Sequence, residues 1–195
     1  MSDLEIHLSD VHVAHGELRV PYALSNHTAA PVYVYNLVPD RFGQLAGRPD
    51  PTPTARLAQT CFDRDHLVMF VLAEIPRPRR VPEPSYFAPA KPAASRIDAG
   101  AGFQATIRAR LPLVEWSEIW VPQPQDPTLV MTPVHTLQLV VDWVHEADII
   151  AADESPAYTG CFAISDRLRH RALAEADVRA IGIEIAVHPH APRLV

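Results

Sequence analysis

The stretch RVPYALSNHTAAPVYVYN, Arg19–Asn36, holds two runs with the two-residue period of β-strands around a polar break. Alternate residues of the first run, counted from Leu18, would share one inward face. They are Leu18, Val20, Tyr22 and Leu24. The break from Ser25 to Pro31 predicts a turn, and Pro31 stands at a strand entrance, where its missing N–H does no harm. The second run, VYVYN, predicts the next strand.

The same alternation recurs further along the chain and predicts strands with one buried face. The apolar positions are Phe103, Ala105, Ile107, Ala109 and Leu111; Leu137, Leu139, Val141 and Trp143; and Ile181, Ile183, Ile185 and Val187. Near the start, Leu4, Ile6 and Leu8 alternate, and the phase slips before Val11 and Val13. A β-bulge at Ser9-Asp10 is the expected cause of that slip.

Two further segments have other patterns. HLVMFVLAE, His66–Glu74, indicates a strand buried on both faces, since its length and its Val and Phe content favour a strand over a short helix. SDRLRHRALAEADV, Ser165–Val178, predicts a helix, because it begins with capping residues and is rich in helix formers. The 20 prolines cluster, which predicts long loops inserted near 39–60 and 76–100 of a single domain spanning 1–195.

The local pattern LSNHTAAPVYV, Leu24–Val34, resembles the B and C strands of immunoglobulin-like domains, both cytoplasmic and secreted. Together with the many short strands, this resemblance implies an architecture and no particular family. The predicted fold is therefore an all-β, immunoglobulin-like antiparallel β-sandwich with long proline-rich loops and one or two short helices.

Charge and composition narrow the function classes. The formal net charge is -6, which argues against binding a nucleic-acid backbone. We expect no signal peptide and no membrane association, because the start lacks a signal pattern and no run approaches the ~20 apolar residues of a membrane span. Cys61 and Cys161 fit buried thiols in a reducing cytoplasm. Lys91 is the only lysine, which indicates either the GC-rich coding of a bacterial-like composition or arginine retained for anion contacts.

The segment EWSEIWV, Glu115–Val121, is the first candidate binding surface. In a strand, Trp116, Glu118 and Trp120 share a face, and a carboxylate between two indoles suits a sugar or a partner protein. Alternatively, the tryptophans face the core or lie under proline-rich loops. The second candidate is the basic cluster of RPRRVPEP on a proline-stiffened loop, suited to an acidic protein surface. Its arginines are Arg77, Arg79 and Arg80.

The ten histidines raise an alternative, a metal-binding protein. If the first and last strands were neighbours, four imidazoles would converge on Zn, Cu or Ni, although no local spacing matches a known signature. They are His7, His12, His188 and His190. The acidic run DWVHEADIIAADES, Asp142–Ser155, offers oxygen ligands for Ca²⁺, but it lacks the glycine of an EF-hand and is more typical of a solvated strand end and loop.

No G-x-S-x-G, P-loop or dinucleotide motif is present, so we predict no enzyme, no catalytic residues and no cofactor. Cys61, with His66 and Asp63 or Asp65, is the nearest approach to a nucleophile set. The sequence instead predicts a cytoplasmic, non-catalytic protein-binding or assembly module. Its partner would be another protein or a second copy of the chain, and a carbohydrate or small ligand on the Trp-Glu-Trp face is a further alternative.

Overall fold

The structure is a computed structural model that describes residues 2–41, 43–63, 66–73, 92–115 and 128–187. In chain order the strands are β1 (Leu4–Leu8), β2 (His12–Ala14), β3 (Glu17–Asn26), β4 (Val32–Asp40), β5 (Asp50–Thr54), β6 (Gln59–Asp63), β7 (Leu67–Leu72), β8 (Ala93–Ile97), β9 (Gly102–Arg110), β10 (Leu113–Val114), β11 (Val130–Pro133), β12 (Thr136–His145), β13 (Ile149–Glu154), β14 (Phe162–Asp166), β15 (His170–Asp177) and β16 (Glu184–Val187). The described helices are single 3₁₀ turns at Glu146–Asp148 and Arg179–Ile181. The all-β prediction is thus confirmed, and no described helix has the length and apolar character needed to cross a bilayer.

The first sheet is built on β3, which pairs antiparallel with β9 on one edge and with β1 and then β2 on the other. Between the Leu8–Tyr22 and His12–Arg19 pairs, three residues of one strand face two of the other. The predicted bulge is therefore confirmed. The bulge lies opposite Pro21 of β3. Because proline has no N–H to donate to the neighbouring strand, the pairing is interrupted where β3 lacks a donor.

The second sheet has nine strands and is centred on β12. Trp143 pairs with Val34 of β4 and with His170 of β15, which places those two strands on opposite edges of β12. Over residues 136–141 the edge opposite β15 belongs to β7, which runs parallel to β12. Side chains of β12 therefore alternate between a face toward the first sheet and an outer face, and Asp142 lies on the outer face. A third, small sheet places β16 between β10 and β11.

One hydrophobic core is shared by the three sheets. It includes Leu18, Val20, Tyr22, Leu24, Ile107, Phe70, Leu137, Leu139, Val141, Trp143, Ile183, Ile185 and Val187. The inward faces predicted from alternation are confirmed. Most of their residues belong to this core, and Phe103, Ala105, Ala109, Leu111 and Ile181 are partly buried and pack against it. Two details differ: Ile181 lies in a 3₁₀ turn, and Val13, which follows the slip, is exposed. The strand predicted from HLVMFVLAE is also confirmed as β7, which has a neighbouring strand on each edge, β12 and β6.

The helix predicted for Ser165–Val178 is wrong. The chain there forms the end of β14 and all of β15, and β15 pairs with β12 over eight residues. Its side chains alternate in burial at every step, with Ala172 and Ala176 packed against the core. Long-range pairing to β12 thus overrides the local helix propensity of an alanine-rich segment.

Asn26 joins the turns at one end of the molecule. Its buried Nδ2 donates to the carbonyl oxygens of Ala30 at 2.9 Å, Ile97 at 3.2 Å and Asp98 at 3.0 Å. Its Oδ1 accepts from the N–H of Thr28 at 3.0 Å and from the Thr28 hydroxyl at 2.7 Å. The polar break in the opening stretch is therefore a turn held from inside, tied to the turn between β8 and β9.

Candidate functional site

Most residues predicted to bind lie outside the part of the chain that the structure describes. They are Trp116, Glu118 and Trp120, the arginines Arg77, Arg79 and Arg80, and the histidines His188 and His190. They stay predictions. The neighbouring Glu115 is described: its N–H donates to the carbonyl oxygen of Ala186, and its Oε1 accepts from the N–H of Phe62 at 3.4 Å.

The two first-strand histidines lie on different strands, His7 on β1 and His12 on β2, and both are exposed. The ring Nδ1 of His12 lies 2.9 Å from the carbonyl oxygen of Asp10. Within the described ranges, no group of three or more His, Cys, Asp or Glu side chains is arranged to hold a metal ion. The described residues therefore add nothing to the metal hypothesis.

Asp65, one member of the predicted nucleophile set, lies outside the described residues, and among the described members Cys61 is not an activated thiol. Cys61 is buried among Met69, Val71, Ala73 and Val140, and this burial, with the nearby charge of Glu115, raises its pKa to about 12. A reactive thiol needs the opposite shift. His66 instead stacks on His135, with ring centroids 4.3 Å apart. Since a carbonyl only accepts, the 2.8 Å contact of His66 Nδ1 with Pro133 O assigns the proton to that nitrogen.

A cluster of charged side chains and a tyrosine hydroxyl lies on the outer face of the nine-stranded sheet. We call it the arginine face and define it as Tyr35, Asp142, Asp166, Arg169 and Arg171. The register that pairs Val34 with Trp143 places Tyr35 beside Asp142, while Arg171 of β15 lies directly opposite Asp142. The loop from β14 to β15 brings Asp166 and Arg169 to the same place.

Asp142 and Arg171 form a two-point ion pair. Nε of Arg171 donates to Oδ1 at 2.8 Å, and Nη2 donates to Oδ2 at 3.3 Å. The Asp142 side chain is only 4% exposed, whereas that of Arg171 is 54% exposed. The hydrogen bond to Asp142 raises the pKa of Arg171. The buried carboxylate thus fixes the orientation of a guanidinium that still faces solvent.

Three donors converge on one oxygen of Asp166. Its Oδ2 accepts from the Tyr35 hydroxyl at 2.6 Å and from Nη2 and Nε of Arg169 at 2.7 Å and 3.2 Å. Burial alone would raise the pKa of Asp166, but the bonds from Tyr35 and Arg169 outweigh it and lower the pKa. The Arg169 guanidinium also lies 4.5 Å from the centre of the Tyr35 ring, within cation–π distance.

Two large apolar side chains are exposed next to these arginines. Leu168 precedes Arg169 in the loop, and Leu173, 55% exposed, follows Arg171 on the same side of β15. Arginine and tyrosine with an adjacent apolar contact is the composition favoured at protein interfaces. The surface can therefore offer fixed hydrogen-bond donors and apolar contact to another protein.

Sequence reasoning missed this face. It treated Asp142 as part of a solvated acidic run and treated both arginines as helix residues. Asp142 is in fact buried inside β12. The available signal is the alternation of TLQLVVDWV, which puts Asp142 on the face opposite Trp143. The partner of Asp142, however, comes from a strand whose local sequence predicts a helix.

A second cluster lies on the core side of the same strands. Trp143 stacks on His170 with centroids 4.6 Å apart, and His145 meets both rings edge-on. Asp3 lies 3.5 Å from Nε2 of His145. Within the described part of the chain, no partner bonds the buried Nε2 of His170. The three rings contact one another on the core side of the sheet, and packing accounts for their arrangement.

No known family model matches this chain, and no curated protein or solved structure matches it significantly.

Proposed function

We propose that this chain is a non-catalytic protein-binding or assembly module that uses the arginine face as its contact surface. One observation carries the proposal: exposed Leu173 stands beside Arg171, whose guanidinium is held by buried Asp142. An apolar contact next to a fixed guanidinium on the face of a sheet suits a protein partner. Small molecules bind instead in concave pockets.

The fixed geometry favours binding. A free arginine side chain loses rotamer freedom when a partner captures it, and that loss opposes association. Here Asp142 and Asp166 already hold Arg171 and Arg169 in place. Part of the entropic cost of ordering these side chains is thus met on folding, and the partner meets a prearranged surface.

The proposed architecture is immunoglobulin-like. Strands β1, β3 and β9 pair antiparallel in one sheet, and β4, β12 and β15 pair antiparallel in another. This order corresponds to the A-B-E and C-F-G groupings of immunoglobulin sandwiches, with the Asn26 turn as the B-to-C connection. Strands β5 to β8, together with β13 and β14, would then be additions to the second sheet. Such sandwiches commonly serve as recognition domains.

We further propose that the chain works in the cytoplasm. Support comes from Cys61 and Cys161, which are both free thiols and both buried. Oxidising compartments select for paired cysteines, whereas buried free thiols persist where glutathione keeps them reduced. The tryptophan pair and the Arg77–Arg80 loop remain second candidates for contact.

The test compares capture by two single variants. Tagged wild type, Leu173→Glu and the control Ile150→Glu, which changes an exposed residue on β13, are used to capture partners from source-cell lysate, with quantitative mass spectrometry. We expect one protein to be retained by wild type and the control and lost from Leu173→Glu, and to bind again as a purified pair. Retention by all three, or by none, removes the arginine face as the binding surface.

A further inference from the structure

The outward side chains of β15 carry an ordered charge pattern. From the end of the preceding loop, every second side chain lies on the outer side of the sheet. Along this row the charge changes from positive to negative at a central leucine. These residues are Arg171, Leu173, Glu175 and Asp177 of β15, together with Arg169 of the preceding loop, whose guanidinium lies over the Tyr35 ring on the same face. The row therefore contains two positive residues, one apolar residue and two negative residues. If a second copy of the row runs in the opposite direction, each charge meets an opposite charge and the leucines meet each other.

We propose that two copies of this chain associate through these side chains, antiparallel along β15, about a two-fold axis at Leu173. This rests on the proposed function and names the partner as a second copy. In that register Leu173 meets its own counterpart. Arg171 faces Glu175 of the partner subunit, and Arg169 faces Asp177 of the partner subunit. A two-fold axis repeats each contact, as in other isologous interfaces.

Charge selects this register over its alternatives. Across the two-fold axis, the side chains that meet come from positions equally far from Leu173 on either side, where opposite charges attract and like charges repel. A parallel arrangement would set Arg171 against its own counterpart and Glu175 against its own. A shift by two residues would place Leu173 opposite a charge. Only the register centred on Leu173 pairs every outward charge with its opposite and buries the apolar residue.

The outward side chains of β15 itself are exposed, and in the described ranges the backbone of β15 pairs only with β12. Two of the groups already have intramolecular partners. The Arg169 side chain, 26% exposed, is bonded to Asp166, and Oδ1 of Asp177 accepts from the N–H and Nε of Arg179.

Arg171 uses Nε and Nη2 for Asp142, which leaves Nη1 for another acceptor. Glu175 accepts from Gln138 Nε2 at 2.6 Å through Oε1, which leaves Oε2. The intramolecular bonds orient these groups and leave a second contact to each.

Sedimentation equilibrium tests the proposal with the whole chain. We expect wild type and Ile150→Glu to be dimers that dissociate as salt concentration rises, because screening weakens the four charge pairs. Leu173→Glu and Glu175→Arg should each raise the dissociation constant on the order of tenfold or more. A wild type that stays monomeric up to about 1 mM, the weak end of specific affinity, overturns the proposal. So does a dimer that both variants leave intact.

Disulfide cross-linking tests the same interface without introducing a charge, so it still applies if a charged variant misfolds. Leu173→Cys places a thiol on the axis, while the two native thiols are buried. With copper-phenanthroline as oxidant, two such thiols lose two protons and two electrons and form a disulfide between copies. We expect covalent dimer from Leu173→Cys and none from Ile150→Cys at equal concentration. Equal yields overturn the proposal. A monomeric wild type that still captures a different protein through Leu173 leaves the proposed function standing and removes only this inference.

Discussion

Asp142 and Arg171 face each other in register across β12 and β15, and Nε of Arg171 donates to Oδ1 of Asp142 over 2.8 Å. Removing the arginine leaves a carboxylate that is only 4% exposed without its partner. We expect Arg171→Met to lower the free energy of unfolding by about 2 kcal/mol, less than for a fully buried pair because Arg171 faces solvent. Urea denaturation at pH 7 measures it.

A double-mutant cycle separates pairing from packing at this site. Asp142→Leu with Arg171→Met removes both charges, and we expect this variant to be more stable than Arg171→Met alone. If the decrease in unfolding free energy of the double variant instead equals the sum of the decreases measured for the two single variants, the two side chains are not energetically coupled.

Asn26 provides a second test, because its buried amide binds three carbonyl oxygens from two turns. We expect Asn26→Ala to cost about 3 kcal/mol of unfolding free energy, because the buried amide is lost from both turns and the buried carbonyl of Ile97 loses its donor. Asn26→Asp should also destabilise, because a carboxylate cannot donate to carbonyls. The control His27→Ala changes the neighbouring exposed residue and should stay within about 0.5 kcal/mol of wild type. A loss below about 1 kcal/mol for Asn26→Ala would contradict the proposed tie between the turns.

Acid should weaken the fold through Asp166. Its folded-state pKa is lowered because the bonds from Tyr35 and Arg169 outweigh burial, so it stabilises the fold above its unfolded pKa of about 3.9. That contribution is lost as pH falls through the folded pKa. We expect the stability advantage of wild type over Asp166→Asn to be constant above about pH 5 and to shrink below about pH 4. Tyr35→Phe removes one donor, and its acid loss should be shallower than that of wild type.

Alkali should act through Cys61, whose pKa is raised to about 12 by burial and by Glu115. A raised folded pKa gives full stabilisation below the unfolded value of about 8.5 and progressive loss as pH rises toward the folded value. We expect stability to fall between about pH 8.5 and pH 10, and to fall less steeply in Cys61→Ala, by thermal denaturation. In a Cys161→Ala background at pH 8, Ellman's reagent should label the thiol only after unfolding. Rapid labelling of the folded chain would show that Cys61 is not buried.

The period of hydrophobic residues predicted the strands that build the core. Leu18 to Leu24 and Leu137 to Trp143 both have one face against the core, and alternation alone suffices to place such residues. The bulge after Leu8 was also predictable. A slip of one residue in that alternation indicates one extra residue in the strand, which is what a β-bulge is.

The candidate site could not be predicted in the same way. Arg171 lies on a strand whose local sequence favours a helix, and only its pairing with β12 decides the matter. Asp166 and Tyr35 are 131 positions apart in the chain, so no local pattern relates them. The outer face is set by which strands become neighbours, and that depends on the packing of the whole core.

The position of β16 has a consequence for how the molecule is made. Ile185 and Val187 are core residues, and their strand lies between β10 and β11, which are synthesised earlier. A ribosome releases the chain from its amino end, so both flanking strands emerge while the gap between them is unfilled. The nascent protein then exposes apolar surface until residue 187 is available. Exposure of this apolar surface to other chains during translation is therefore the expected vulnerability of this fold.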